Sequence, residues 1–208
     1  MDLKTLYAAV VNGEIEEVTE GVQTALAANI PADTILNEAL IPAMSEVGRL
    51  FEEQEYYVPE MLLSATAMQG GLAILKPLLA ASGVMAGPQI AFGTVKGDLH
   101  DIGKNLVIMM LEGAGFQVID LGVDVPPEKF LEAVKGGAQL VGMSAMLTTT
   151  MPNMKVTIEA LKAAGVRDNV KIMIGGAPLT QVYAEQIGAD GYSPDASAAV
   201  RKVKELVG

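Results

Sequence analysis

After residue 88, short runs of β-branched and other apolar residues alternate five times with stretches of helical periodicity. The predicted strands cover residues 90–95, 117–121, 140–146, 171–174 and 191–192, and the predicted helices cover 104–113, 127–135, 152–164, 180–187 and 195–206. Such regular alternation is typical of a parallel sheet with helices on both faces. We therefore predict an α/β domain over residues 89–208 that is built on a five-stranded, doubly wound parallel sheet.

The first 82 residues show helical periodicity only. Apolar residues recur at helical spacing over 3–11, 15–28, 34–53 and about 59–81, which predicts an N-terminal four-helix bundle. Residues 83–88 are small residues and helix breakers, and they predict a linker between the bundle and the α/β domain.

Composition excludes several function classes. The formal net charge of -11 argues against nucleic acid and anionic membrane surfaces as partners. Without cysteine the chain has neither disulfides nor thiolate metal sites. The N-terminus shows no signal-peptide pattern, and we interpret no apolar run as long enough to span a bilayer. We therefore expect a cytoplasmic protein.

The strand order 2-1-3-4-5, common to flavodoxin-like sheets, would place a binding crevice between the loops after strands 1 and 3. The first of these loops contains His100, the only histidine of the chain, with Asp98 two residues before it. The carboxylate could hold one ring nitrogen and leave the other for a metal or a proton, or His100 could be a solvated loop residue. One imidazole cannot hold a bare metal ion, so any metal would arrive inside a cofactor.

The loops after strands 3 and 4 allow two interpretations each. Hydroxyl residues follow strand 3, where they could donate to a polar cofactor or to Asp98, or Thr149 or Thr150 could cap the next helix. Strand 4 ends in Gly175 and Gly176, which indicates either a backbone lying against a flat ligand or a tight turn.

Other occupants of this topology are disfavoured by the residues present. A phospho-acceptor domain needs an aspartate at the end of strand 3, where this chain has Ser-Ala-Met. The loop after strand 1 is not the Ser/Thr-rich loop of flavin phosphate sites, and it lacks the glycine pattern of dinucleotide sites. Ser144 lies on no nucleophile-elbow pattern.

Three elements together resemble the cobalamin-binding domain family: Asp98-x-His100-x-x-Gly103, Ser144-Ala145-Met146 and Gly175-Gly176. Met146 stands where the family usually has leucine, a soft apolar exchange. In the helical half, residues 47–51 and 57–65 resemble the cap that precedes the cobalamin domain in methionine synthase and in small corrinoid methyl carriers. These carriers serve methylamine, methanol, betaine and methoxyarene methyltransferase systems.

The resemblance implies a cofactor and a role for each matching residue. The cofactor would be cobalamin, in its methylcobalamin form, with its own base displaced and His100 coordinating cobalt from below. Asp98 would hold the other ring nitrogen, Thr150 would continue the relay, and protonation of the Asp98–His100 pair would favour release of the cobalt. Further cofactor contacts are implied for Gly97, Leu99, Asp101, Ile102, Gly103, Ser144, Met146, Leu147, Thr148, Gly175 and Gly176, and cap contacts with the upper face for Phe51, Val58 and Met61.

The resemblance also implies a function as a methyl-carrying subunit rather than a complete enzyme. The chain would accept a methyl group from a substrate-specific methyltransferase and pass it to a second methyltransferase acting on tetrahydrofolate or coenzyme M. A reductive activation protein would be a third partner. Two alternatives stay open: a cobalamin-dependent regulator acting through protein partners, and the small subunit of an adenosylcobalamin mutase.

Overall fold

The computed structural model describes residues 2–81 and 88–207. Contacts divide the chain into two compact units: a helical unit of Met1–Gly87 with Met109–Gly115, and a sheet unit of Pro88–Ile108 with Phe116–Gly208. The predicted linker over 83–88 lies outside the described residues except for Pro88.

The helical unit is built from the helical segments that the sequence predicts. They are α1 (Leu3–Asn12), α2 (Ile15–Ala27), α3 (Ala32–Ile35), α4 (Ile41–Glu52) and α5 (Val58–Ala81). The stretch predicted as one helix over 34–53 begins at Ala32 and contains a π-helical turn, Leu36–Leu40. Pro42 explains this turn, because it has no N–H to donate to the preceding α-helical ladder.

Helix α5 is the central helix of this unit and contacts α1, α2 and α4. By length and composition Val58–Leu79 could cross a membrane, so the expectation that no segment reaches that length is wrong. Of its most apolar window, 44% is buried inside the protein. A helix that packs against several neighbours is apolar on more than one face, which accounts for this composition.

In the described part of the sheet unit, five parallel strands form one sheet in the order β2-β1-β3-β4-β5, which confirms the predicted topology. The strands are β1 (Gln89–Val95), β2 (Gln117–Val125), β3 (Leu140–Ser144), β4 (Lys171–Gly175) and β5 (Gly191–Ser193). The helices are α6 (Ile102–Gly113), α7 (Pro127–Lys135), α8 (Pro152–Ala163), α9 (Gln181–Ile187) and α10 (Ala196–Val207).

Two strands differ in length from the prediction. β2 continues to Val125, past irregularities in its register with β1. β3 ends at Ser144 instead of residue 146, because the N–H of Ala145 donates to Gly175 O while that of Met146 turns to the side chain of Asp98. Backbone groups that a sheet would use are thus diverted to the loop after β1.

The core of the sheet unit is mainly aliphatic, as the low aromatic content requires. Phe130 is its largest fully buried side chain, and Val141, Met143 and Ile172 are also fully buried. Burying apolar strands between helices fixes the sheet, and with it the positions at which the strands end. The carboxyl ends of β1 and β3 are adjacent because these two strands pair directly.

Candidate functional site

Asp98 is the centre of a hydrogen-bonded cluster at the carboxyl end of the sheet. Its side chain is fully buried. Oδ1 lies 2.7 Å from His100 Nδ1 and accepts from the backbone N–H of His100 at 3.1 Å. Oδ2 accepts from the Thr150 hydroxyl at 2.6 Å, from Met146 N–H at 2.8 Å and from Leu147 N–H at 3.3 Å. Five donors therefore surround one buried carboxylate.

The structure brings together the three residues predicted to form a relay: His100, Asp98 and Thr150. The alternative role of Thr149 or Thr150 as a helix cap is wrong, because α8 is preceded by Met151 and has no side-chain cap. Thr150 instead donates its hydroxyl to Asp98, and its backbone N–H to Leu147 O at 3.1 Å. A short turn after β3 thus supplies donors to the carboxylate.

Electrostatics determine which ring nitrogen of His100 carries the proton. Burial by itself raises the pKa of Asp98, but hydrogen bonds from Thr150, Met146 and His100 outweigh it and hold this pKa well below its usual value. The carboxylate is therefore ionised at neutral pH and can only accept hydrogen bonds, so Nδ1 of His100 is the donor. Nε2 then has a free lone pair, which is what a metal ligand requires.

The rim of the site is apolar and exposed. Leu99 is 71% exposed and Ile102 is 84% exposed, and Val123, Met146 and Leu147 are exposed as well. All five lie in or next to loops at the carboxyl ends of β1, β2 and β3. Large apolar side chains grouped at one place indicate a binding surface. A polar centre with an apolar rim fits a large ring with an axial coordination position, as the corrin of cobalamin has.

The motif glycines have different surroundings. A Cβ on Gly176, whose φ is +134°, would lie 1.9 Å from Ala145 O, so this glycine is explained by contact with the loop after β3. Both predicted interpretations of this turn, a tight turn or a backbone lying against a flat ligand, stay predictions. A Cβ on Gly103 would meet nothing within 4 Å, so packing within the protein does not explain that glycine.

Other predicted contacts lie near this centre. Ser144 is half-buried and pairs with Thr94 and Gly175 in the sheet, whereas Thr148 is exposed. The carboxylate of Asp101 accepts from the Asn105 amide at 3.1 Å. Direct contacts of these residues with a cofactor stay predictions.

The three cap residues lie in the helical unit and differ in exposure. Val58 is 43% exposed, Phe51 is half-buried and Met61 is fully buried. Met61 thus contributes to the core of the helical unit. The prediction that these three side chains cover the cofactor stays a prediction.

Four residues of the site were missed by sequence reasoning. Buried Thr94 donates to His100 O at 3.0 Å, and Asp124 accepts from Gly97 N–H at 2.7 Å. Lys104 is buried and its Nζ lies 2.6 Å from Asp120 Oδ1. A lysine four residues after the histidine and a polar Asp-rich end of β2 are visible in the sequence, but their pairing depends on the sheet register.

Within residues 2–81 and 88–207, no group of three or more histidine, aspartate or glutamate side chains could hold a metal ion. His100, with a free lone pair on Nε2, could supply one ligand to a metal. That donor set suits a metal whose other positions are filled by a macrocycle.

Comparison with known families identifies relatives over the whole chain. Sequence models of two families, both described as a B12 binding domain, match residues 88–201 and 2–76. Dimethylamine corrinoid protein 1 of Methanosarcina acetivorans is 44% identical over 99% of this chain and 97% of that protein. A corrinoid protein of Desulfitobacterium hafniense is 40% identical over 99% of this chain and 97% of its own.

Solved structures with the same architecture are also related in sequence. A cobalamin-binding protein from Desulfitobacterium hafniense matches with a TM-score of 0.81 and 33% identity, over 100% of this chain and 99% of that one. The methanol:cobalamin methyltransferase complex MtaBC from Methanosarcina barkeri contains a chain that matches with a TM-score of 0.85 and 30% identity. The match covers 97% of this chain and 78% of the matched chain.

Proposed function

This chain belongs to the family of cobalamin-binding corrinoid proteins, and from this premise we propose that it carries a methyl group on cobalt between two methyltransferases, with His100 as the axial ligand. One partner would take the methyl group from a small substrate, and the second would methylate tetrahydrofolate or a thiol such as coenzyme M. A reductive activation protein would restore chains that have been oxidised. We place these reactions in the cytoplasm.

The observation that carries the proposal is the contact between His100 Nδ1 and the buried carboxylate of Asp98 at 2.7 Å. It fixes the tautomer in which Nε2 can coordinate, and it holds the ring by one edge. Since carboxylates behind metal-bound histidines increase the basicity of the ligand, Asp98 would strengthen the bond from Nε2.

The chain's own residues would supply a reversible ligand. Bound cobalamin would supply a cobalt centre nucleophilic enough to take up a methyl group and able to release it again. The His100 side chain is 55% exposed and is tied to Asp98 through one nitrogen only. The ring can therefore move while Asp98 keeps its hydrogen bonds to Met146, Leu147 and Thr150. The exposed apolar rim would exclude water from the side of the cofactor that His100 binds.

The names of the relatives bear on the first partner. Relatives at 40–44% identity include several named dimethylamine corrinoid proteins, whereas the methanol complex matches at 30%. We therefore propose that the first methyltransferase acts on a methylated amine.

Purified chain, loaded with cobalamin and reduced, should be methylated by a dimethylamine-specific methyltransferase at least tenfold faster than by a methanol-specific one. Equal rates, or preference for the methanol enzyme, would contradict this assignment.

The axial ligand can be tested because the chain contains one histidine. Protein grown with ¹⁵N-histidine is labelled at His100 alone, and we expect the axial nitrogen splitting in the Co(II) electron paramagnetic resonance spectrum to change from a ¹⁴N to a ¹⁵N pattern. Protein with unlabelled histidine is the control. An unchanged pattern would show that the cofactor's own base, and not His100, is bound to cobalt.

A second pair of variants tests the relay. Thr150→Val removes the hydroxyl that donates to Asp98 but keeps the shape, whereas Thr150→Ser keeps the hydroxyl. We expect the valine variant to show a smaller His-bound fraction than the serine variant. The relay would be refuted if the two variants had equal His-bound fractions.

A further inference from the structure

The loop that bears His100 is also held from β2, by a residue outside the matched motifs. Asp124 contacts the two peptide groups that flank the Gly97–Asp98 bond. Its carboxylate accepts from Gly97 N–H at 2.7 Å, and its own backbone N–H donates to Asp98 O at 3.0 Å. These two hydrogen bonds bracket the peptide immediately before the histidine loop turns.

The backbone at this position restricts which residues can make both contacts. Asp124 has a φ of +52°, in the left-handed region that aspartate, asparagine and glycine adopt most readily. Gly97, which donates its N–H to Asp124, has a φ of +83°. Asp124 holds this conformation while its carboxylate accepts from Gly97 and its backbone N–H donates to Asp98, so few residue types could make both contacts.

The contact is independent of the donors from the β3 side. Met146, Leu147 and Thr150 fix the carboxylate of Asp98, whereas Asp124 fixes its main chain. Orientation of the His100 ring depends on both, because Nδ1 contacts the carboxylate while the Cα position follows from the main chain.

We propose that Asp124 is a positioning residue for His100: from β2 it holds Gly97 N–H and Asp98 O, clamps the chain between them and so presents Nε2 for coordination. This inference rests on the proposed function, since it concerns the same axial ligand. It adds a residue on β2 to the hydrogen-bonded centre around Asp98, whose other donors lie in the loops after β1 and β3.

Two substitutions distinguish the effect of the Asp124 side-chain acceptor from the effect of the positive φ at this position. Asp124→Asn keeps a side-chain oxygen and tolerates a positive φ, and Asp124→Gly keeps the backbone freedom but removes the acceptor. Asn29→Gly is the matched control, because Asn29 has a φ of +60° in the helical unit. Thermal unfolding of each apo-protein checks that the fold is retained.

Two measurements at one neutral pH test the clamp. The first is amide hydrogen exchange at Gly97 in the apo-protein, and the second is the ratio of His-bound to His-free Co(II) in ¹⁵N-histidine-labelled holo-protein. For Asp124→Gly we expect exchange about tenfold faster, as loss of one hydrogen bond implies, and a His-bound ratio about fivefold lower. Asp124→Asn and Asn29→Gly should both stay within about twofold of the wild type.

The outcomes separate this inference from the function on which it rests. If wild-type protein shows the ¹⁵N splitting but Asp124→Gly matches it in both measurements, the clamp is refuted and the methyl-carrier proposal stands. If the asparagine variant loses as much His-bound cobalt as the glycine variant, the acceptor is not the cause and the inference also fails. If wild-type protein shows no ¹⁵N splitting, both the axial role of His100 and the positioning role of Asp124 are refuted.

Discussion

Two glycines of the cobalamin motif, Gly176 after β4 and Gly103 at the start of α6, have different surroundings. The place of a side chain on Gly176 is taken by the Ala145 carbonyl, 1.9 Å from an ideal Cβ, whereas the space beside Gly103 is open. The fold alone therefore demands glycine at 176. At 103 the fold would accept a side chain, and we propose the space beside it, next to the exposed Leu99 and Ile102, as a place for a ligand.

The same contrast runs through the rest of the site. Asp98 and Thr150 are buried, and their hydrogen bonds are completed by the protein. Leu99, Ile102 and Met146 are exposed although they are apolar. Groups of the first kind preserve the shape of the site without a cofactor, and groups of the second kind gain stabilisation only when an apolar surface covers them.

The largest expected effect is on the fold, from Gly176→Ala. Its methyl group would overlap a backbone carbonyl and the residue would be strained at φ +134°, so we expect the free energy of unfolding of the apo-protein to fall by about 3 kcal/mol or more. Urea denaturation measures this. Gly165→Ala is the control, because its φ of +71° is also positive but its Cβ meets nothing, and it should cost only about 1 kcal/mol. Equal losses for the two variants would remove the steric explanation.

Asp98→Asn should have the next largest effect, because an amide NH₂ would replace an acceptor oxygen among five donors. We expect a loss of about 2–3 kcal/mol in apo-protein stability at neutral pH. The pKa of Asp98 is lower in the folded chain than its ordinary value of 3.8. Its stabilisation is therefore complete above that value and is lost as the pH falls below it towards the folded-state pKa.

The pH profile of apo-protein unfolding checks this sign. The stability difference between wild type and Asp98→Asn should be close to its full value at pH 5 and should shrink below about pH 4. A difference that grows as the pH falls below 4 would mean that the protonated carboxyl is the favoured form in the folded protein.

Gly103→Val tests the open half of the comparison. The apo-protein should be unchanged or more stable by up to about 0.5 kcal/mol, since valine is the better helix former and its side chain meets no protein atom. Affinity for cobalamin, measured by titration of the apo-protein, should fall about tenfold, or about 1.4 kcal/mol, if the cofactor occupies that space. Destabilised apo-protein with normal cobalamin affinity would reverse the roles we assign to the two glycines.

The smallest effect is expected for Met146→Leu, which restores the residue usual in the family. Met146 is 50% exposed, and its contact with Asp98 is made by the backbone N–H, which any residue except proline retains. Stability and cobalamin affinity should each change by less than about 0.5 kcal/mol. A larger change in affinity alone would show that the thioether itself contacts the cofactor.

Much of the fold could be predicted from periodicity, because alternating strands and helices permit few arrangements. The errors have local causes: Pro42 introduces a π-helical turn, and Asp98 takes the N–H of Met146 that would otherwise extend β3. The helix α5 was placed correctly, but its capacity to span a membrane by length and composition was missed, because the helix is apolar on several faces inside its own unit.

Some residues of the site could be predicted from the sequence, and others could not. Asp98, His100 and Thr150 could be named in advance because the loops after adjacent strands of a doubly wound sheet meet at one edge. Asp124 and Lys104 could not, because their partners depend on the register irregularities between β1 and β2. Neither residue stands out by type: strand pairing brings Asp124 to the histidine loop, and it brings Asp120 on β2 to Lys104.

The sequence by itself determined the two kinds of unit, the strand order and the one imidazole available to a cofactor, since these follow from hydrophobic periodicity, chain connectivity and residue count. Tertiary structure alone decided how that imidazole is used. Asp98 is buried among donors from the loop after β3, which keeps it ionised and able only to accept hydrogen bonds, and this sets the tautomer of His100. The carboxyl end of β2 brings Asp124 against the same loop. Hydrogen bonds between residues far apart in the chain are set by packing, which a local pattern does not encode.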